Sequence, residues 1–333
     1  MRNALVLNDT RGTGHVGCLM VMQELLRACH VSAIEVSESL KTRSHFLNKM
    51  HCALTNYDLV IINGEGTMHH DQDAALLIAE AAEQVSRLGI PMVLINTVWQ
   101  QNNILNKMLP LLSLTCARES FSAKAIAKIG CDVRVVPDLV FNYKPHDIFN
   151  HPRVPKESIV VLDDVRTDLS LLLSRYAFKK RVPFIRMGGR PSLRSFDSLI
   201  YWGIPFLFGR CKSQLKFEQL SVIRDAQIIV TGRFHGACLA ILAGRPFVAV
   251  SSNSYKIEGL LHDAELGGGA ILLDDNRLGQ DPMKALEFAV DKVLGVASTE
   301  KLMSEYQTRC YSYVSSARER ISAMFADIKT IGL

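Results

Sequence analysis

The 333-residue chain has no apolar run that reaches the roughly 18 residues needed to cross a bilayer. The longest candidate, Gly236 to Val250, is broken by Gly244-Arg245-Pro246. The start, Met1-Arg2-Asn3 followed at once by an apolar strand, lacks the long apolar centre and small-residue cleavage site of a secretory signal. The eight cysteines include no Cys-x-x-Cys pair and no Cys/His ligand spacing, which argues for buried reduced thiols over disulfides or zinc. No low-complexity segment and no short repeat occurs. Charge excess is small and dispersed: +5, with a pI of about 8.7. That balance suits an anionic substrate and gives no basis for a nucleic-acid partner. A cytoplasmic protein is expected.

What is present is the material of two domains. An apolar fraction of 48% and a charged fraction of 21% are those of a globular protein, and the length suits two cores of about 150 residues each. Strands are expected at Ala4–Leu7, Val31–Val36, Asp58–Ile62, Met92–Ile95, Leu114–Ala117 and Val133–Val136. Helices are expected over Cys18–Cys29, Ala74–Leu88, Asn103–Leu112 and Ser120–Ile129. Strict alternation of apolar strands with helices implies a parallel sheet covered on both faces.

From Asn142 to Lys156 the chain holds Pro145, Pro152 and Pro155 with few aliphatics, the composition of a linker. A second series follows, with strands at Ile159–Leu162, Pro183–Arg186, Pro205–Phe208, Gln227–Val230, Phe247–Val250 and Ala270–Leu273. Helices over Gln214–Arg224 and His235–Ala243 lie among them. A final helix, about Thr299–Ile328, repeats apolar residues every three or four positions and is expected to pack on the domains. The division is a Rossmann-like domain over 1–144, a linker over 145–157, a second Rossmann-like domain over 158–298 and the helix over 299–333. Ligands of such sheets bind outside the carboxyl ends of the strands, so a cleft shared by the two domains is expected to hold the site.

The densest chemistry is Thr231-Gly232-Arg233-Phe234-His235-Gly236, after a buried strand and at a helix start. Free N–H groups and the dipole of a helix start favour an anion. Arg233 offers a planar fork for carboxylate or phosphate, and a histidine in the place of His235 can exchange a proton with a ligand. A surface arginine and a capping histidine on a structural turn would explain the segment equally well. Downstream, Gly244-Arg245-Pro246 leads through a strand to Ser251, Ser252, Asn253, Ser254, Tyr255 and Lys256, a second polar strand end with a second cation.

Together these segments resemble the polysaccharide pyruvyl transferase family, whose C-terminal signature joins an Arg-x-His junction, a Gly-x-Pro and a Tyr/Asp-x-Lys stretch. Asn63-Gly64-Glu65-Gly66-Thr67 is similar to the family's Gly-Gly-Gly-Thr turn, with Glu65 replacing a glycine. Cys116-Ala117-Arg118-Glu119-Ser120 and Val136-Pro137-Asp138-Leu139-Val140-Phe141 are similar to its Arg-Asp/Glu-x-Ser and Pro-Asp-Pro-x-Phe pair, with Leu139 in place of proline. The ordered match spans about residues 58 to 262. Near the first strand, Asn8-Asp9-Thr10-Arg11 departs from the family's Asn-x-Gly-Asp.

The resemblance implies a glycosyltransferase-B-like fold, phosphoenolpyruvate as co-substrate and a pyruvate ketal on two hydroxyls of a surface-glycan sugar. It carries donor contacts over to Arg118, Arg233 and His235, with Phe234, Gly236 and Lys256 beside them. The acceptor, a sugar or a lipid-linked oligosaccharide, is expected near Asp9, Gly14, His15, Gly64 and Thr67. With a lipid-linked acceptor such a protein works transiently at the inner membrane face. Ketal formation needs proton delivery to the methylene carbon and removal of hydroxyl protons, but no metal or redox cofactor. His235 is the candidate acid; Glu65, Asp138 and Asp9 are candidate bases.

Other readings stand beside this one. Gly12-Thr13-Gly14-His15-Val16-Gly17 imitates a dinucleotide fingerprint, but four residues separate it from the strand, where the dinucleotide turn begins at once. His69-His70-Asp71 has no further ligand at metal spacing and reads as a loop. A nucleotide-sugar glycosyltransferase of the same fold and a non-catalytic glycan-binding relative are the alternatives.

Overall fold

The computed structural model describes residues 2–42, 56–149, 159–188, 211–212 and 215–332. These fall into two compact units. The first comprises Met1–Gly12, Cys18–Asn142 and Ser316–Leu333; the second comprises Thr13–Gly17 and Tyr143–Ser315. The division differs from the expected one: the second unit takes in Tyr143, Lys144, the expected linker over 145–157 and residues 299–315 of the last helix. The short loop Thr13–Gly17 counts with the second unit, and residues 316–333 of the last helix count with the first.

In chain order the first elements are β1 (Arg2–Leu7), α1 (Val16–Val31), β2 (Ile34–Leu40), β3 (Leu59–Glu65), α2 (Asp73–Arg87) and β4 (Met92–Thr97). Then come β5 (Leu114–Ala117), α3 (Ser120–Ala127) and β6 (Arg134–Val135). The sheet of the first unit runs β2-β1-β3-β4-β5-β6, every neighbouring pair parallel. β3 and β4 are buried along their whole length, as near-continuous apolar strands covered on both faces should be. The core against α2 gathers Leu5, Val60, Ile62, Ile78, Val85, Leu94 and Trp99.

The later elements are α4 (Pro145–Ile148), β7 (Ile159–Asp164), α5 (Thr167–Lys180), β8 (Phe184–Ile185), β9 (Cys211–Lys212) and α6 (Ser221–Asp225). They continue with β10 (Ile228–Gly232), α7 (Phe234–Leu242), β11 (Phe247–Val250), α8 (Lys256–Ala264) and β12 (Ala270–Leu273). The chain closes with α9 (Asp275–Leu278), α10 (Pro282–Ser298) and α11 (Glu300–Thr330). The second sheet is ordered β12-β11-β10-β7-β8-β9, again all parallel. Counted from β7, this is the doubly wound order 3-2-1-4-5-6, with its reversal between β7 and β10. In the first sheet the reversal lies between β1 and β3. At these two points crossovers leave in opposite directions and open a crevice at the strand ends.

Several boundaries differ from the sequence reading for visible reasons. The β-branched run after Cys29 suggested a strand from Val31, yet α1 runs through Val31, and Ala33 turns the chain with φ 58° before β2. The helix expected over Asn103–Leu112 is a 3₁₀ segment, Leu105–Leu111, with Pro110 inside it. The helix expected at Gln214–Arg224 divides into a 3₁₀ turn, Phe217–Gln219, and α6. In the expected linker, α4 forms with Pro145 at its first position and Ile148 buried. The strand expected at Pro205–Phe208 and residues 150–158 lie outside the described residues. Six cysteines, Cys18, Cys29, Cys116, Cys131, Cys238 and Cys310, are free thiols. Among the described residues no helix is long and apolar enough to cross a membrane.

Candidate functional site

In the second unit the polar side chains gather at the reversal point. β10 ends at Gly232 and α7 starts at Phe234, with Arg233 as its N-cap in extended conformation. The first-turn N–H groups of Phe234, His235 and Gly236 have no carbonyl one turn back within the helix, which is the geometry that receives anions. Thr231 Oγ1 accepts the Arg233 N–H at 3.0 Å and fixes the turn. The Arg233 guanidinium donates from Nη2 to Asp163 Oδ2 at 2.6 Å, while its buried Nε–H has no partner among the described residues. Asp163 ends β7 together with Asp164, and its Oδ1 accepts the Met187 N–H at 2.9 Å. Lys256, at the first position of α8, is buried and donates to Asn253 Oδ1.

His235 is buried, and its ring lies 5.4 Å, centroid to centroid, from that of His15. Gly17 permits this approach: a Cβ there would overlap the His235 ring. The Gly17 N–H donates to His15 Nδ1 at 3.1 Å, so that nitrogen carries no proton. Desolvation, together with His235 and the charges of Arg233 and Lys256, holds the His15 imidazole well below its ordinary range. His15 is thus a neutral imidazole beside the strand–helix junction. It was expected on the acceptor side of the first domain; the loop that carries it counts with the second unit, where its ring neighbour is His235. Gly14 precedes it with φ 72°.

The first unit has its own polar group at the ends of β1, β3, β4 and β5. Asn8 Nδ2 donates to Asn63 O at 2.7 Å and to Thr67 Oγ1 at 3.2 Å. Glu65, with φ 40° at the end of β3, is buried and accepts from Thr10 Oγ1 at 2.9 Å. Gly64 lies against Thr97, leaving no room for a Cβ. Arg118, after β5, is fully buried and pairs with Asp138 at 3.4 Å. Asp138 is itself fully buried, and its Oδ1 also accepts the Val140 N–H at 3.0 Å. Its carboxylate therefore acts on Arg118 and on the turn before Phe141. Asp9 is engaged as well. Burial alone would raise its carboxyl, but hydrogen bonds from Arg11 Nε at 3.0 Å and Ser39 Oγ at 2.8 Å hold it below its ordinary value. Glu119 caps α3 through the Phe121 and Ser122 N–H groups.

Three residues of these groups went unnoticed in the sequence. Asp163 and Asp164 close an apolar strand as an acidic pair, a signal available at Leu162-Asp163-Asp164. Asn96, the last residue but one of β4, is buried, with φ 55° and neither amide atom partnered among the described residues. Only its place after Leu94-Ile95 hinted at it. His69 and His70 hydrogen-bond each other at 2.7 Å, and Asp71 caps the N–H groups of Asn103, Ile104 and Leu105, so that motif shapes its own loop.

The polysaccharide pyruvyl transferase family model matches residues 23–254. The chain belongs to the polysaccharide pyruvyl transferase family. The match takes in Glu65, Arg118, Asp138 and the junction Arg233–Gly236, and stops two residues before Lys256. No curated protein matches this family member. Among solved structures it is similar to the UDP-GlcNAc 2-epimerase from Methanocaldococcus jannaschii, at 14% identity over 90% of this chain and 94% of that one, TM-score 0.57. It is also similar to a glycotransferase of kitacinnamycin, at 13% identity over 98% and 97%, TM-score 0.57. An alpha-glucosyltransferase in complex with UDP-glucose and DNA matches at 12% identity over 94% and 95%, TM-score 0.54. At such identities these likenesses speak for the fold. This pyruvyl transferase family member has the glycosyltransferase-B-like fold of two Rossmann-like α/β units, with a long C-terminal helix.

Proposed function

We propose that the protein transfers the pyruvyl group of phosphoenolpyruvate to two hydroxyls of a surface-glycan sugar or its precursor, forming a ketal. The observation that carries this is the cationic cluster at the reversal of the second sheet. Arg233, whose buried Nε–H has no partner among the described residues, stands beside Lys256, His235 and the first turn of α7. Phosphoenolpyruvate presents a carboxylate and a phosphate a few ångströms apart, and this cluster offers a fork, an ammonium and backbone N–H groups to hold them. Arg118, paired with Asp138 at 3.4 Å, is a further candidate contact for the donor.

In this reading His235 gives a proton to the methylene carbon and a sugar hydroxyl attacks the adjacent carbon. The bond to phosphate oxygen then breaks, phosphate leaves with the bonding pair, and the second hydroxyl closes the ketal. Each hydroxyl loses one proton: Glu65 is the candidate acceptor for one, and the other replaces the proton that His235 gave to the methylene carbon. The acceptor is a sugar or lipid-linked oligosaccharide, and a lipid-linked one brings the enzyme to a membrane surface.

The test is a thermal-shift titration of the full chain with phosphoenolpyruvate, UDP-glucose and UDP-GlcNAc. A ligand bound only by the native state raises Tm by mass action. Phosphoenolpyruvate is expected to raise Tm in wild type and not in Arg233→Ala, with Arg233→Lys intermediate. Response to a nucleotide sugar alone would replace this reading with a glycosyltransferase. That alternative draws on neighbours whose structures contain UDP-glucose or UDP. Silence with every ligand would favour a non-catalytic relative.

A further inference from the structure

The end of β7 holds a carboxyl group that the reading above leaves unused. Asp164 is 3% exposed. Its Oδ1 accepts the Arg166 N–H at 2.5 Å, while Oδ2 has no hydrogen-bond partner among the described residues. Its neighbour Asp163 is satisfied on both oxygens, by Met187 and Arg233. A buried polar atom without a partner is costly, so a group kept in that state calls for a ligand or a proton to explain it.

The strand geometry places Asp164 with care. Val230 of β10 pairs with Val161 of β7, but Gly232 pairs with Asp164, so two steps on β10 answer three on β7. A bulge of this kind re-aims a side chain. Here it lays the carboxyl over Gly232, where any Cβ would overlap Oδ2. The place is the sheet reversal, next to the Arg233 N-cap of α7. The charged and titratable groups facing it are Asp163 on its own strand, Arg166 after β7, Arg233 before α7 and Lys256 on α8. His235 on α7 and the neutral His15 belong to the same cluster. Burial disfavours the ionised form more than Arg233 and Lys256 favour it, and the carboxyl is pushed up to about 7.

We propose that Asp164 is a proton-carrying ligand group of the anion site: its Oδ2–H donates to an oxygen of the anion held by Arg233 and Lys256, and its ionised form repels that anion. The inference deepens the phosphoenolpyruvate reading and rests on it. An O–H donor can sit against a phosphate or carboxylate oxygen where a carboxylate cannot, since like charges at contact in a dry site cost several-fold more than in water.

The experiment is calorimetric titration of the full chain, wild type and Asp164→Asn, with sulfate and with phosphoenolpyruvate from pH 5.5 to 8.5. Sulfate keeps its charge over this range, so the slope reports the protein. Asparagine keeps a donor at Oδ2 and removes the titration. The two proteins differ only in the Asp164 carboxyl, so the difference between their slopes reports that group. Sulfate affinity is expected to fall about tenfold more across this range in wild type than in the variant. A difference infrared spectrum at pH 7.5 covers a variant that fails to fold: sulfate should increase the protonated-carboxyl stretch of wild type. Equal slopes in the two proteins, or no carboxyl band, overturn the inference while phosphoenolpyruvate binding stands. No binding of either anion by folded wild type would take down the donor reading and this inference together.

Discussion

Asp164 couples the second unit's stability to pH through burial. In the unfolded chain its carboxyl titrates near 3.8; in the fold it is pushed up to about 7, chiefly by desolvation. Between those values the native state holds the proton more tightly than the unfolded state. Stability therefore falls as pH rises from about 4 to about 7, and the loss persists above. The rise from 3.8 to about 7 sets an upper limit of roughly 4 kcal/mol. Asp164→Asn is accordingly expected to melt above wild type at pH 8 and level with it near pH 4, as thermal melts at both values would show. A variant that gains nothing at pH 8 would mean the carboxyl is not held neutral by the fold. The glycine beneath it makes a second test. Gly232→Ala forces Asp164 aside and is expected to cost about 2 kcal/mol, of the size seen for overpacking. Asp164→Ala should relieve much of that cost, so a double-mutant cycle in urea would show strong coupling, whereas additive effects would refute the contact.

Between elements, the buried pair of Arg118 after β5 and Asp138 before the turn at Val140 fastens two strand ends together. Asp138→Ala removes the partner of a fully buried guanidinium and is expected to cost about 3 kcal/mol or more, measured as a shift of the urea midpoint. Asp138→Asn, which keeps an acceptor, should lose less. A midpoint that does not move would leave Asp138 free for the chemistry expected of it. This is also where the sequence was most readable. Fully apolar strands such as Leu59–Ile62 and Ile228–Val230, closed by Gly or polar residues, announced both the parallel sheets and the positions of Glu65 and Arg233. What it hid was set by partners distant in the chain. That Asp138 would be spent on Arg118, or Asp9 on Arg11 and Ser39, is a matter of which side chains the sheet order brings together. The bulge that aims Asp164 depends on a register between strands more than sixty residues apart, and no local pattern encodes it.

Across the whole chain, the last helix is the element whose role the sequence stated most directly. Of its apolar stripe, Tyr306, Cys310, Tyr313, Ala317, Ile321, Met324 and Ile328 are buried and Met303, at the start, is half-buried. The stripe did not say which unit each part serves; residues 316–333 count with the first, though they arrive last in the chain. There the Arg2 guanidinium donates to Ile328 O at 3.0 Å, Arg318 Nε to Phe141 O at 3.1 Å, and Arg134 pairs with Asp327. Ile321, Met324, Phe325 and Ile328 together bury four large side chains, each contributing roughly 1.5–3 kcal/mol. That sum is comparable with the entire stability of a typical domain. A chain ending at Ser315 is therefore expected to lose the cooperative unfolding of the first unit, although every residue of that unit from Met1 to Asn142 is still present. Circular dichroism melts of the shortened chain would show one transition where the full chain has its complete unfolding amplitude, and adding back a peptide of residues 316–333 should restore part of it. If the shortened chain instead melts with the full amplitude at an unchanged Tm, the helix is an appendage, and the first sheet is complete without it.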